Sequence, residues 1–90
     1  MLENFANELA LAATIGGVMM SLSYIPQLTK IWRRKSVEDI SLKTFSMLFL
    51  GLIVWVLYGL SINAYPIIIA NLVGLFMIGT LIMLYLKFKK

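Results

Sequence analysis

TFSMLFLGLIVWVLYGLSINAYPIIIANLVGLFMIGTLIMLYL, Thr44 to Leu86, holds 43 residues without Asp, Glu, Lys, Arg or His. About 20 helical residues cross a bilayer core, so this run is too long for one span and fits two joined by a tight turn. Upstream, Leu9 to Thr29 is a second uncharged run of 21 residues, enough for one more span. The expected fold is an all-α membrane protein with three transmembrane helices in one domain, residues 1–90. The spans are expected at about 6–32, 42–62 and 66–88.

Composition agrees with lipid as the solvent. Hydrophobic residues make up 61% of the chain and charged residues 13%, against about 25% charged in soluble domains. Three spans occupy nearly all of the chain and leave no room for a soluble domain. There is no cysteine, which excludes disulfides, thiolate metal sites and cysteine catalysis. There is no histidine, the usual general base near neutral pH and the commonest metal ligand. The acidic residues Glu3, Glu8, Glu38 and Asp39 all fall at or beyond the expected interfaces. Without paired carboxylates or a nucleophile–base set inside the spans, an enzyme is not expected, nor is any cofactor or metal.

The net charge of +4 would fit a nucleic-acid partner, but its distribution argues against one. Lys30, Arg33, Arg34, Lys35 and Lys43 lie around the first link, and Lys87, Lys89 and Lys90 follow the last span. With three spans these two clusters share a side, and the positive-inside rule puts that side in the cytoplasm. The N-terminus is then expected outside and the C-terminus in the cytoplasm. A cleavable signal begins with basic residues, whereas the first charges here are Glu3 and Glu8, so helix one is expected to persist.

Inside helix one, Pro26 lacks the N–H that would bond the Leu22 carbonyl, and its ring crowds that carbonyl. A kink is expected there, roughly 6 Å along the axis from Lys30, serving either as a static bend or as a moving hinge. Gly16 and Gly17 would allow close helix contact. Ser36 with Asp39 resembles a capping box, and Asp39 or Ser41 would cap helix two. Asn63, Ala64 and Tyr65 form the tight outer turn, and Pro66 suits the first turn of helix three.

Two polar groups fall at matching depth. Trp55 lies roughly 10 Å inward from the outer end of helix two, and Asn71 roughly 8 Å inward on antiparallel helix three. Tyr58 is one turn further out on the face of Trp55, and Gly51 one turn further in; Gly74 lies near Asn71. An indole stacks on the C–H face of a sugar ring, and a carboxamide both donates to and accepts from hydroxyls. A neutral polyol needs this combination and no charge. The plainer alternatives are packing for Trp55 and Tyr58, and an interhelical hydrogen bond for Asn71. Trp32 fits the interfacial aromatic belt, and the Met19–Met20 pair reads as packing. Three spans make a poor tunnel, so association of two or more chains is expected.

The segment Ser23-Tyr24-Ile25-Pro26-Gln27, followed by a basic link, resembles a PQ-loop motif. Asp39-Ile40-Ser41, Gly51 to Trp55, Tyr58-Gly59 and Pro66 to Asn71 follow in order. Together they resemble the bacterial SemiSWEET sugar transporters over about Thr14 to Leu84. The resemblance implies a bundle with helix three between one and two, a parallel homodimer, and a bacterial inner-membrane location. It implies that Trp55 and Asn71 bind sugar, that Tyr58 forms an outer gate, and that Pro26 and Gln27 belong to the hinge motif. Family members often carry Arg and Asp just after the tyrosine. Here Ser61-Ile62-Asn63-Ala64 has neither, leaving outer closure to Tyr58, apolar contacts and Asn63.

The function expected is facilitative transport of a small neutral sugar by alternating access. No carboxylate or imidazole lies in the spans to relay protons, which favours uniport. The alternatives are a carrier of another small solute, such as an amino acid, and a structural subunit of a membrane complex.

Overall fold

The structure is a computed structural model and describes residues 1–38 and 40–89. A short 3-10 turn, Leu2–Phe5, leads into α1 (Ala6–Leu22), followed by α2 (Ile25–Arg34), α3 (Leu42–Ser61) and α4 (Tyr65–Phe88). Three helical stretches are long and apolar enough to span a bilayer: residues 2–34, 42–61 and 65–88, whose most apolar 18-residue windows have mean hydropathy 1.5, 1.9 and 2.5.

The first stretch is broken at Ser23 and Tyr24, just ahead of Pro26. The disturbance precedes the proline because the missing N–H and the ring both act on the preceding turn. Tyr24 N–H bonds the Ser21 carbonyl at 3.2 Å, a tightened i→i−3 contact, and Leu28 N–H to Tyr24 restarts the α pattern at 3.0 Å. The backbone stays in the right-handed region at Ser23 and Tyr24, so this is a kink and not a loop. The helix also runs past the expected Trp32 to Arg34. There Lys35 closes it in the left-handed region, with φ 52° and ψ 40°.

Ser41 caps α3: its Oγ accepts from Thr44 N–H at 3.2 Å. Asp39, the other candidate for a cap or capping box, lies outside the described residues. Removing the Ser41 oxygen strands one of the first N–H groups of the helix. Ser41→Ala is therefore expected to lower stability by about 0.5–2 kcal/mol, seen as a lower melting temperature in detergent.

The turn between α3 and α4 is a Schellman motif. Ala64 N–H bonds the Gly59 carbonyl at 2.9 Å and Asn63 N–H bonds that of Leu60 at 3.4 Å, with Asn63 left-handed at φ 55°. Asn63 thus serves the turn backbone, which suits asparagine better than most residues with a Cβ.

Helix α4 is central, packing against α1, α2 and α3. Only a middle helix has helical neighbours on two sides, and its Ile78 and Leu81 are fully buried. Elsewhere large apolar side chains are exposed, such as Phe76 at 70% and Met83 at 72%. In water so much apolar surface would aggregate; acyl chains cover it at no such cost. Several polar side chains in the spans bond back to their own helix, such as Thr14 to the Ala10 carbonyl and Thr80 to that of Phe76.

Close approach of α1 to α4 rests on two small-residue pairs. Gly17 and Ser21, one turn apart on α1, face Ala70 and Gly74, one turn apart on α4. A Cβ at Gly17 would lie 2.5 Å from Ala70 Cβ, and one at Gly74 would lie 3.1 Å from Ser21 Oγ. Small side chains are what allow backbones this near in lipid, where there is no hydrophobic drive between helices. Gly16 has open space around it and takes no part.

Candidate functional site

Because α1 and α3 pack on α4 rather than on each other, a cleft opens between them with α4 as its floor. Its volume is about 1140 Å³. Trp55 enters from α3 and Asn71 from α4, and both line it. From their level the cleft runs past Met47 and Leu48 to Thr44, Ser23 and Tyr24 at the basic end of the bundle. On the opposite side, Trp55, Ala70 and Asn71 also line a smaller depression of about 290 Å³ with Ala13, Pro66 and Ile67. The indole and carboxamide therefore stand at the divide between a large space towards the basic end and a small one towards the α3–α4 turn.

The indole of Trp55 is 53% exposed. Its ring partner is Tyr58, edge-to-face at 5.8 Å with planes at 83°, so much of the indole surface is unused within one chain. Tyr58 lies one turn outward and touches Trp55, but it does not line the cleft. Asn71 Nδ2 donates to the Ile67 carbonyl at 2.7 Å. That leaves its second N–H and its Oδ1 for a ligand. The preceding residue is held from α1, where Ser21 Oγ donates to the Ala70 carbonyl at 3.4 Å.

Among the described residues, no carboxylate, ammonium or guanidinium lines the cleft. Its polar groups are the Asn71 amide, the indole N–H and the hydroxyls of Ser21, Ser23, Tyr24 and Thr44, set among apolar side chains. Among the described residues no group of His, Cys, Asp and Glu could hold a metal. Such a surface can pair with hydroxyls and pack on C–H faces, and it offers nothing to a fixed charge.

Pro26 and Gln27 are not part of this cleft. Pro26 starts α2 just below the kink. Gln27 lines a separate cavity of about 240 Å³ with Lys30, Arg34 and residues of the link that include Ser36 and Glu38. Two residues read from sequence as packing behave otherwise: Met19 and Met20 are 65% and 74% exposed and line the cleft. The hydroxyls of Ser21, Ser23 and Thr44 carry no signal in sequence beyond being polar in or near a span. Ser21 was detectable only through its one-turn spacing from Gly17.

These features define a small α-helical membrane protein with an uncharged, polar-studded cleft between its first and second spans. Residues 7–90 match the family described as "Sugar efflux transporter for intercellular exchange", and the chain belongs to this SWEET family. It is 35% identical to "Sugar transporter SemiSWEET" of Leptospira biflexa, over 79% of this chain and 82% of that one. The protein of the same name from Bradyrhizobium diazoefficiens is 34% identical, over 76% and 79%. Among solved structures, "Crystal structure of a bacterial homologue of SWEET transporters" superposes with a TM-score of 0.83 at 34% identity. It covers 88% of this chain and 95% of that one. These two relatives are named as transporters and not as enzymes, in agreement with the sequence reading.

Proposed function

We propose that the chain is a facilitative carrier of a small neutral sugar, working by alternating access as a parallel homodimer. The observation that carries this reading is the uncharged cleft with Trp55 and Asn71 at one level on its wall and floor. Trp55 stacks on the C–H face of the ring, and the free N–H and Oδ1 of Asn71 take hydroxyls. Enclosed ligand pockets run to roughly 300–1,000 Å³. A cleft of about 1140 Å³ with a half-exposed indole fits one half of a site that a second copy completes. Family membership and the names of the relatives support sugar as the substrate class.

Under the positive-inside rule the basic end faces the cytoplasm, the N-terminus lies outside, and the membrane is the bacterial inner membrane. The cleft then corresponds to the inward-facing half of the cycle. Tyr58 sits at the outer side as a gate, and the kink before Pro26 and Gln27 is the hinge on which the inner end of span one swings. Uniport is supported by a cleft whose described lining residues include no carboxylate or imidazole.

The test is uptake of a labelled sugar panel by liposomes containing only this protein. Uptake is expected to stop when the sugar gradient is exhausted and to be indifferent to an imposed pH gradient. Concentrative uptake driven by pH would overturn uniport. Transport of zwitterionic amino acids without sugars would overturn the substrate class.

A further inference from the structure

We infer that the basic end carries a binding site for the phosphodiester of an anionic membrane lipid, formed by Lys35 and Lys87 over the rings of Trp32 and Phe88. Trp32 on α2 and Phe88 on α4 meet edge-to-face at 6.1 Å. Lys35 Nζ lies 5.0 and 5.2 Å from the two ring centroids, and Lys87 Nζ 5.1 and 5.4 Å. Two ammonium groups from different helices thus converge on one aromatic pair. Ring quadrupoles attract each of them, but they repel each other. Among the described residues no carboxylate pairs with either; the ion pair present, Met1 N-terminus to Glu3, is at the first turn of the chain.

The backbone at Lys35 strengthens the case. Residues with a Cβ rarely adopt its left-handed conformation, and glycine is the usual helix terminator there. Here the position bears a cation that reaches back over the rings. The C-terminal ends of α2 and α4 meet at this point, and their partial negative charge opposes an anion. More than one cation is needed to reverse that field, and Arg33 and Arg34 add to it from the last turn of α2. Trp32 is 53% exposed, and tryptophan settles at headgroup depth, where phosphodiesters are the abundant anions. A phosphate between the two ammonium groups gains charge-assisted hydrogen bonds from both. It thereby clamps α2, beyond the kink, to α4. The site shares no residue with the Trp55–Asn71 cleft and stands whether or not the transport reading does.

Native mass spectrometry of the full chain in neutral detergent, titrated with phosphatidylglycerol or phosphatidylcholine, tests the proposal. Lys35→Gln with Lys87→Gln is expected to weaken phosphatidylglycerol about thirtyfold, from roughly fivefold per lysine. Lys43→Gln with Lys89→Gln, the same loss of charge elsewhere, is expected to change nothing, and Lys35→Arg with Lys87→Arg to retain binding. Equal losses in the two glutamine pairs, or none in either, would overturn the site. Displacement of the lipid by millimolar inorganic phosphate would overturn a lipid ligand in favour of a free anion. If the Lys35–Lys87 glutamine pair fails to fold, each single glutamine variant should still show its roughly fivefold loss, and no loss in either would sink the proposal.

Discussion

Trp55→Ala and Asn71→Ala should each abolish sugar uptake into liposomes while leaving a folded, monodisperse protein. Folding should survive because neither side chain holds the bundle together. The indole is half exposed and touches one ring, that of Tyr58, and the Asn71 amide bonds to its own helix. Binding should not survive. Nucleobase stacking on an aromatic, about 1–3 kcal/mol per ring, is an upper guide for the indole. If two copies complete the site the loss doubles to roughly 2–6 kcal/mol, at least about thirtyfold in affinity. Removing the amide leaves sugar hydroxyls desolvated and unpaired, at about 1–3 kcal/mol for each buried group. Phe76→Ala, which removes an exposed aromatic outside the cleft, is the control and should transport normally. Labelled-sugar uptake, with size exclusion and circular dichroism as checks on folding, reads all three. Normal uptake by both site variants would favour a structural subunit over a carrier.

The spans were legible because charge alone marks them: no residue between Thr44 and Leu86 can ionise near neutral pH. The matching depth of Trp55 and Asn71 was legible from simple arithmetic on antiparallel helices; that both line one cleft was not. The central place of α4 was not, since all three spans are apolar and hydropathy does not order them; the family resemblance supplied that expectation. Nor could periodicity place Met19 and Met20 in the cleft. In lipid, an apolar residue facing a neighbour, a bilayer or a solute path has the same composition. The kink before Pro26 was foreseeable in kind, but its exact position depended on how the preceding turn tightened. Asn63 was legible as part of the tight turn after helix two, but not as the residue whose left-handed backbone terminates that helix.

Gly16 and Gly17 pose the sharpest contrast between sequence and structure. Adjacent residues on a helix point about 100° apart, so one can face a neighbour while the other does not, and composition cannot say which. Gly17→Ala is expected to destabilise the bundle by about 1–3 kcal/mol. The new Cβ would fall 2.5 Å from Ala70 Cβ, well inside the roughly 3.5–4.0 Å of a carbon–carbon contact. Neither carbon can rotate away, so α1 and α4 must separate. Ala70 adjoins Asn71 and accepts from Ser21, so the same separation should move the carboxamide and reduce uptake. Gly16→Ala meets no atom within 4 Å and gains about 0.5–1 kcal/mol of helix propensity. Opposite shifts in melting temperature from one substitution at neighbouring positions are therefore expected. Ala70→Gly added to Gly17→Ala removes the clashing carbon and should restore both stability and uptake, a coupling that a double-mutant cycle measures directly. Equal effects at Gly16 and Gly17, or no rescue by Ala70→Gly, would mean that α1 and α4 do not meet at this pair.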